Sequence, residues 1–345
     1  MDKKILIYTE NYLPSIGGLE NNTELLCESL VLLGFATTLI TPQKDALKHK
    51  KFRVIESSSL TEFLSEIKKH DLLIVNGGVS FKIIIPALIA QKPYIIIYQM
   101  ATLFRDIRSK GLRTSLLNNA RKVLASFAKK NIGVSEYSFL ELQQIFGKDK
   151  SDILINPADP KFLKGATNQN TANLPFQCLF AGRLIEGKGI KLLITAIRKM
   201  NKNKKSIHLH VIGDGPEKQY VTDHSNAGYI FYHPPVSKEE LKHWLNSVHL
   251  TVIPSTHHIE GSPLIMAESL VMGVPVLVSS QPALVESIKH KALIFESGNL
   301  DDLVAKLNTL TSPDIYQIVQ KHIEAEVYKY NYSNYFKQLK YLIDV

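Results

Sequence analysis

The stretch "VIPSTHHIEGSPLIMAESLVMGVPVLVSS" (residues 252–280) decides the fold. It reads as an apolar strand, a polar turn, a helix and a second apolar strand. Ser262 is of the N-cap type, and Pro263 suits the first helical position, where its missing N–H costs nothing. The helix is expected to run to about Val271, with Gly273 ending it. Two carboxylates bracket the turn, Glu260 just before the helix and Glu268 in its second turn. Helical side chains lean toward the helix N-terminus, so both can approach the space in front of its unpaired N–H groups.

Outward from this stretch the same alternation repeats. Candidate strands in the first half are 4–9, 36–41, 53–56, 72–77, 94–99, 131–135 and 152–156. In the second half they are 177–182, 207–213, 229–233, 250–255, 275–280 and 292–297. Many are continuous apolar runs, such as "YIIIYQ" (94–99), as expected of parallel strands covered on both faces. Helix-length stretches lie between them, among them 20–33 and 190–200. The fold class is therefore α/β, with two doubly wound, Rossmann-like domains. Residues 1–163 form the first, the polar stretch "KGATNQNTANLP" (164–175) is the linker, and 176–325 form the second. The tail, "SNYFKQLKYLIDV" (333–345), reads as an amphipathic helix capped by Ser333. Ligands of open α/β sheets bind at the carboxyl ends of the strands, so a site in the cleft between domains is expected.

A chain of 345 residues fits about two domains, each with its own core. Apolar content of 45% and charged content of 21% are those of a soluble globular protein. The longest apolar runs, 83–90 and 94–98, are too short to span a bilayer. No signal peptide is expected from "MDKKILIYTE", and Cys27 and Cys178 have no metal or redox spacing, which points to reduced thiols and a cytoplasmic location. The net charge of +9 is concentrated: residues 105–130 hold eight Lys or Arg against one Asp. That segment fits a solvated face, an anionic-membrane contact or a polyanion site.

Three further motifs follow strands. "YTENYLPSIGGLE" (8–20) carries Gly17 and Gly18, which permit a tight turn and close backbone approach to a ligand before a helix. "FAGRLIEGKGI" (180–190) places Arg183 and Lys188 after a strand end, with Gly187 and Gly189 loosening the loop. Arg can bind two oxygens and Lys acts as a point charge, a pair suited to a diphosphate. "VIGDGPEK" (211–218) turns at Gly215. Alone, the first and third read equally well as an ordinary strand–helix turn, and the second reads less readily as a solvated loop. Near Glu260, amides around Ser262, Pro263 and Leu264 could hold an anion or sugar hydroxyls. His257 and His258 line the approach to Glu260, and loop histidines are more often bystanders. His208 and His210 share a strand face without a third ligand, and no metal site, metal cofactor or nucleic-acid motif is expected.

Together and in this order, the four motifs resemble the retaining GT-B glycosyltransferases of family four, over nearly the whole chain. "EGSPLIMAE" is similar to that family's acid-x7-acid signature. The resemblance implies a role for Glu260 at the donor sugar and for Glu268 at the ribose hydroxyls of its nucleotide. It makes Arg183 and Lys188 the diphosphate pair, Gly17 and Gly18 the glycine loop of the first domain, and Ser262, Pro263 and Leu264 the segment whose amides reach the donor. It also implies that residues 326–345 return to the first domain. Two departures stand out. Gln99 aligns where the family often carries a histidine, and Gln cannot exchange a proton near neutral pH. The family's Asn-Gly-Val-Asp turn appears as "NPAD", with Asn156 and Asp159 kept and Pro157 in place of Gly.

The expected function is sugar transfer, with retention and without metal, from a nucleotide diphospho-sugar to a glycan or lipid-linked acceptor in cell-surface polysaccharide synthesis. A non-catalytic GT-B partner that binds a glycan, and a sugar-nucleotide epimerase, remain the alternatives.

Overall fold

Continuous apolar runs become parallel strands buried on both faces. The computed structural model describes residues 3–344 apart from 15–16, 101–110, 164–173, 203–205 and 258. The first sheet comprises β1 (Lys4–Tyr8), β2 (Ala36–Thr41), β3 (Arg53–Glu56), β4 (Leu72–Asn76), β5 (Tyr94–Tyr98), β6 (Lys130–Gly133) and β7 (Ser151–Ile153). The second comprises β8 (Phe176–Ala181), β9 (Ile207–Ile212), β10 (Ile230–His233), β11 (Leu250–Ile253), β12 (Val276–Ser279) and β13 (Ile294–Phe295). Strand order is β3-β2-β1-β4-β5-β6-β7 in one and β10-β9-β8-β11-β12-β13 in the other. All the pairings are parallel.

Every stretch expected as a strand contributes to one. The last shrinks to Ile294–Phe295 because a tight turn over Lys291–Leu293 precedes it, held by the His290 ring accepting from the Ala292 amide. In each sheet the order reverses beside the first strand of its half, at β1/β4 and at β8/β11. Open α/β sheets bind ligands at the carboxyl side of such points.

The chain divides into two compact units, residues 1–155 with 336–345, and residues 156–335. This division does not fall at 164–175, a stretch that apart from Leu174 and Pro175 lies outside the described residues. It falls just before "NPAD", and bonds within the second unit explain why. The Ala158 amide donates to the Tyr330 carbonyl at 3.1 Å, and the Asn156 side chain donates to the Ser262 carbonyl at 3.2 Å. At the other end, Leu339, Leu342 and Ile343 are buried, and the Lys3 ammonium donates to the Ile343 carbonyl. The tail helix spans Tyr332–Asp344, so Ser333 lies inside it rather than capping it. Asn331 does the capping: its side chain accepts from the Ser333 amide at 2.8 Å.

Candidate active site in the second unit

The loop after β8 is the foundation of the site. Helix Ile190–Met200 follows it, with Ile190, Leu193, Ile194 and Ile197 fully buried. Burying each such side chain contributes about 1.5–3 kcal/mol, so the helix and the loop leading into it are firmly placed. Glycines were expected to loosen this loop; Gly189 instead pins it. Its φ of 74° is left-handed, and a Cβ there would stand 1.8 Å from the Pro254 carbonyl oxygen at the end of β11. The Thr256 amide donates to the Gly187 carbonyl at 2.9 Å. Glycine is needed because two backbones meet.

The same loop is stitched to the turn after β9. The Leu184 amide donates to the Asp214 carbonyl, and the Glu217 amide to the Leu184 carbonyl, both at 2.8 Å. A Cβ on Gly215 would lie 2.6 Å from the Leu184 oxygen. "FAGRLIEGKGI" and "VIGDGPEK" therefore form one backbone assembly at the carboxyl ends of neighbouring strands.

On it Lys188 reaches the opening stretch. Its ammonium lies 2.6 Å from Glu260 Oε1, which also accepts from the Ser255 hydroxyl at 2.5 Å. The Glu260 residue is 5% exposed. Gln281 locks this carboxylate's backbone, accepting from the Glu260 amide at 3.1 Å while its own amide donates to the carbonyls of Ser255 and Thr256. Hydroxyls of Ser279 and Ser297 donate to the same Ser255 carbonyl. Arg183, by contrast, is exposed, and its guanidinium has no hydrogen bond or ion pair among the described residues.

A second cluster surrounds helix Leu264–Val271. The helix begins one residue later than expected: Pro263, with ψ 126°, is the N-cap, and Ser262 lies outside it without a capping bond. Proline's fixed φ suits this position, and the Ser262 carbonyl is instead used by Asn156. The amides of Met266 and Ala267 turn back to the Pro263 carbonyl, leaving those of Leu264 and Ile265 without an intrahelical acceptor. Glu268 is buried, and among the described residues its carboxylate takes no hydrogen bond. Burial pushes its pKa up to about 7; the nearby Lys238 pulls against this and Asp159 adds to it. Lys238 and Asp159 pair at 2.8 Å, so "NPAD" supports both the helix entry and the surroundings of Glu268. An ionisable acceptor buried without a partner is costly unless a ligand supplies the donors.

Residues 167–326 match the family model described as glycosyl transferases group 1. That match lies within the second unit and covers just under half of the chain. Among curated relatives, the O-antigen biosynthesis glycosyltransferase WclY of Escherichia coli is 26% identical over 209 residues, covering 56% of this chain and 54% of WclY. A glycosyltransferase of Methanocaldococcus jannaschii is 28% identical over 171 residues, covering 46% of this chain and 42% of the relative. The matches thus span about half the length of those relatives. Sucrose-phosphate synthase from Thermosynechococcus elongatus superposes with a TM-score of 0.76 at 15% identity, over 99% of this chain and 98% of that one. Anabaena Alr3699/HepE in complex with UDP gives 0.74 at 16%, over 99% of both chains. At such identities the likeness establishes the fold alone, two parallel sheets with flanking helices as in GT-B glycosyltransferases.

The remaining candidates, Gly17, Gly18 and Gln99, lie in the first unit. Gly17 is the N-cap of helix Gly18–Leu32, with an extended φ of −174°, and Gly18 has no left-handed φ either. What Gly17 provides is room: a Cβ would stand 2.4 Å from a Glu20 carboxylate oxygen folded back over the helix start. Ser15 and Ile16 lie outside the described residues. Gln99 follows β5, and its amide nitrogen donates to the side-chain oxygens of Asn22 and Asn76, both at 2.8 Å. Beside these, Glu10 accepts from Tyr8, Ser80 and Lys82. Burial alone would raise Glu10; those three donors outweigh it and hold the carboxyl below its ordinary value.

Sequence reasoning overlooked Ser255, Gln281 and Ser279. The signal available was position: "PST" and "SSQP" both close strands at the carboxyl edge where the motifs lie. His257 is exposed and bonded to Thr256, and His258 lies outside the described residues. His208 and His210 do share a face, together with His233 and Trp244: His210 packs on both rings and bonds Gln177 at 2.9 Å. Among the described residues no group of three or more His, Cys, Asp or Glu is arranged to hold a metal.

Proposed function

We propose that the chain transfers a sugar from a nucleotide diphospho-sugar to a hydroxyl of a glycan or lipid-linked acceptor, with the anomeric configuration retained. The observation that carries this reading is the Lys188–Glu260 pair, set on a glycine-pinned loop that also bears the exposed Arg183. When the bond from the anomeric carbon to phosphate breaks, the diphosphate gains negative charge. Arg183, Lys188 and the amides of Leu264 and Ile265 would stabilise that charge more in the transition state than before it, which is what accelerates a reaction. These fixed groups meet the charge requirement without a metal. Glu260 holds Lys188 in place and faces the positive character developing on the sugar ring. The acceptor proton passes to the leaving phosphate oxygen on the same face, so Gln99 need not exchange one. Glu268 would accept from paired ribose hydroxyls.

WclY's name assigns it to O-antigen biosynthesis, and HepE has been solved with UDP and with UDP-glucose. These support a cell-surface glycan product and make uridine diphospho-sugars the donors to try first. We propose further that the acceptor lies at the inner membrane face, where each basic residue of 105–130 near anionic headgroups would contribute about 1 kcal/mol. The domain boundaries proposed from composition are 1–163 and 176–325, and limited proteolysis distinguishes them from the units 1–155 with 336–345 and 156–335.

Donor titration followed by product analysis tests the reading. Retained anomeric configuration and loss of turnover in Arg183→Ala support it. Donor binding without transfer to any hydroxyl would favour a non-catalytic partner, and epimer formation without an acceptor would favour an epimerase.

A further inference from the structure

The first unit carries an open cavity of about 610 Å³ at the amino-terminal edge of its sheet. Lys4, Ala36 and Arg53, the first residues of β1, β2 and β3, all line it. The strands are parallel, so this is the edge away from Gln99, which follows the carboxyl end of β5. Ligands of open α/β sheets that take part in the chemistry bind at the carboxyl edge, so a molecule held here has another purpose. The volume falls within the roughly 300–1,000 Å³ of small-molecule sites.

Among the described residues, Lys4, Lys50, Lys51, Arg53 and Lys69 line the cavity together with one carboxylate, Glu66. Glu66 is the fixed point. It stands on helix Leu60–Lys69, whose Phe63 and Ile67 are buried in the core, and its own side chain is 4% exposed. One of its oxygens lies 2.7 Å from the Lys69 ammonium and the other 3.4 Å from Nη1 of Arg53. A buried carboxylate is costly without a cation, and one would be enough to neutralise it. Glu66 instead orders two, whose side chains stay 61% and 57% exposed, for Arg53 and Lys69 respectively. The bond from Nη1 leaves most of the donors of the Arg53 guanidinium for a ligand.

Two more acids touch the lining. Glu28 lies 2.7 Å from the Lys51 ammonium, and Asp71 accepts from the Lys4 amide at 2.8 Å. Five cations against these three acids leave a surplus of two positive charges among the described residues. Phe35 and the buried Phe52 add an apolar wall. Apolar wall and cationic rim together suit a small organic phosphate, with Arg gripping two oxygens and Lys acting as a point charge.

We propose that this cavity binds a soluble phosphorylated small molecule carrying at least two negative charges. The site is separate from the groups that the sugar-transfer reading uses, and it does not depend on that reading.

Isothermal titration calorimetry with inorganic pyrophosphate tests the proposal, on the full chain at low salt. An Arg183→Ala background weakens the diphosphate site proposed for the second unit. Arg53→Gln and Lys69→Gln should each weaken pyrophosphate binding at least about tenfold, the effect of losing a charged hydrogen bond. Lys4→Gln leaves both Glu66 pairings intact and should also weaken binding, which keeps the test valid if loss of a Glu66 partner disturbs folding. Lys68→Gln is the control: Lys68 is exposed and adjacent in sequence but does not line the cavity, so affinity should stay within roughly twofold. Equal weakening by Lys68→Gln would reduce the effect to diffuse surface charge and overturn the proposal. So would pyrophosphate binding that no cavity variant changes, or no binding at all. Binding to phosphatidic acid vesicles without binding to pyrophosphate would assign the cations to a membrane surface, and would also overturn it.

Discussion

Glu268→Gln offers the sharpest reading of the candidate site. Burial lifts the folded-state pKa of Glu268 to about 7, against an ordinary value of 4.5. Between those values the folded unit holds a proton that the unfolded chain has released. Stability therefore falls as pH rises through this window, and the full cost is present above pH 7. A shift of that size corresponds to about 3 kcal/mol. Gln cannot ionise, so the stability difference between wild type and Glu268→Gln should change by about 3 kcal/mol across the window. A constant cost of burying the amide cancels in that change. His210 slopes the other way: burial first, then His233 and His208, press its pKa down to about 4, so its contribution is lost as pH falls. Both proteins share it, and it also cancels. Trp244 is the chain's one tryptophan and lies in the second unit, so its emission during urea unfolding reports that unit. Parallel stability curves for the two proteins would refute the reasoning. A bound diol donating to the ionised carboxylate should also make wild-type donor affinity fall below pH 7, while the variant's stays flat.

Arg183 is exposed and unengaged among the described residues, so Arg183→Ala should leave stability within about 0.5 kcal/mol while turnover drops at least about 10²-fold. Steady-state rates and a melting curve separate the two effects; unchanged turnover would remove Arg183 from the diphosphate site. Lys188→Ala should lower both, because it strips the cation from a carboxylate that is 5% exposed, at a cost toward the lower end of about 3–5 kcal/mol. Urea unfolding of Lys188→Ala and of the double variant with Glu260→Gln checks this, since neutralising Glu260 should restore much of the loss. Gly189→Ala meets both a left-handed φ and the Pro254 oxygen, so it should destabilise the second unit by more than about 2 kcal/mol and abolish any thermal shift produced by UDP. A wild-type melting temperature would show that the loop is not pinned as described.

The strands, and Lys188 and Glu260 as candidates, were legible because each is written locally. Apolar runs mark the strands, and a short motif marks the loop. What holds the roles together is not local. Lys188 and Glu260 are 72 residues apart in sequence, and Glu260 and Gln281 are 21 apart. They meet because β8 lies beside β11 and β11 beside β12. Composition does not encode that order, which is why Gly189 read as a loosening residue when it is a contact between two backbones. Ser262 misled for a related reason: its capping propensity is real, but Pro263 already fixes the helix entry and Asn156 already takes the Ser262 carbonyl. The long-range bonds also bear on the chemistry. A lysine free in solution would lose rotamer freedom on meeting a diphosphate, whereas Lys188 is already held by Glu260, and Glu260 by Ser255 and Gln281. The entropy of ordering that cation is met in folding rather than in catalysis, as electrostatic preorganisation requires. Under the proposed transfer, the carboxylate that orders it has the sign a sugar ring needs opposite it as the leaving group departs.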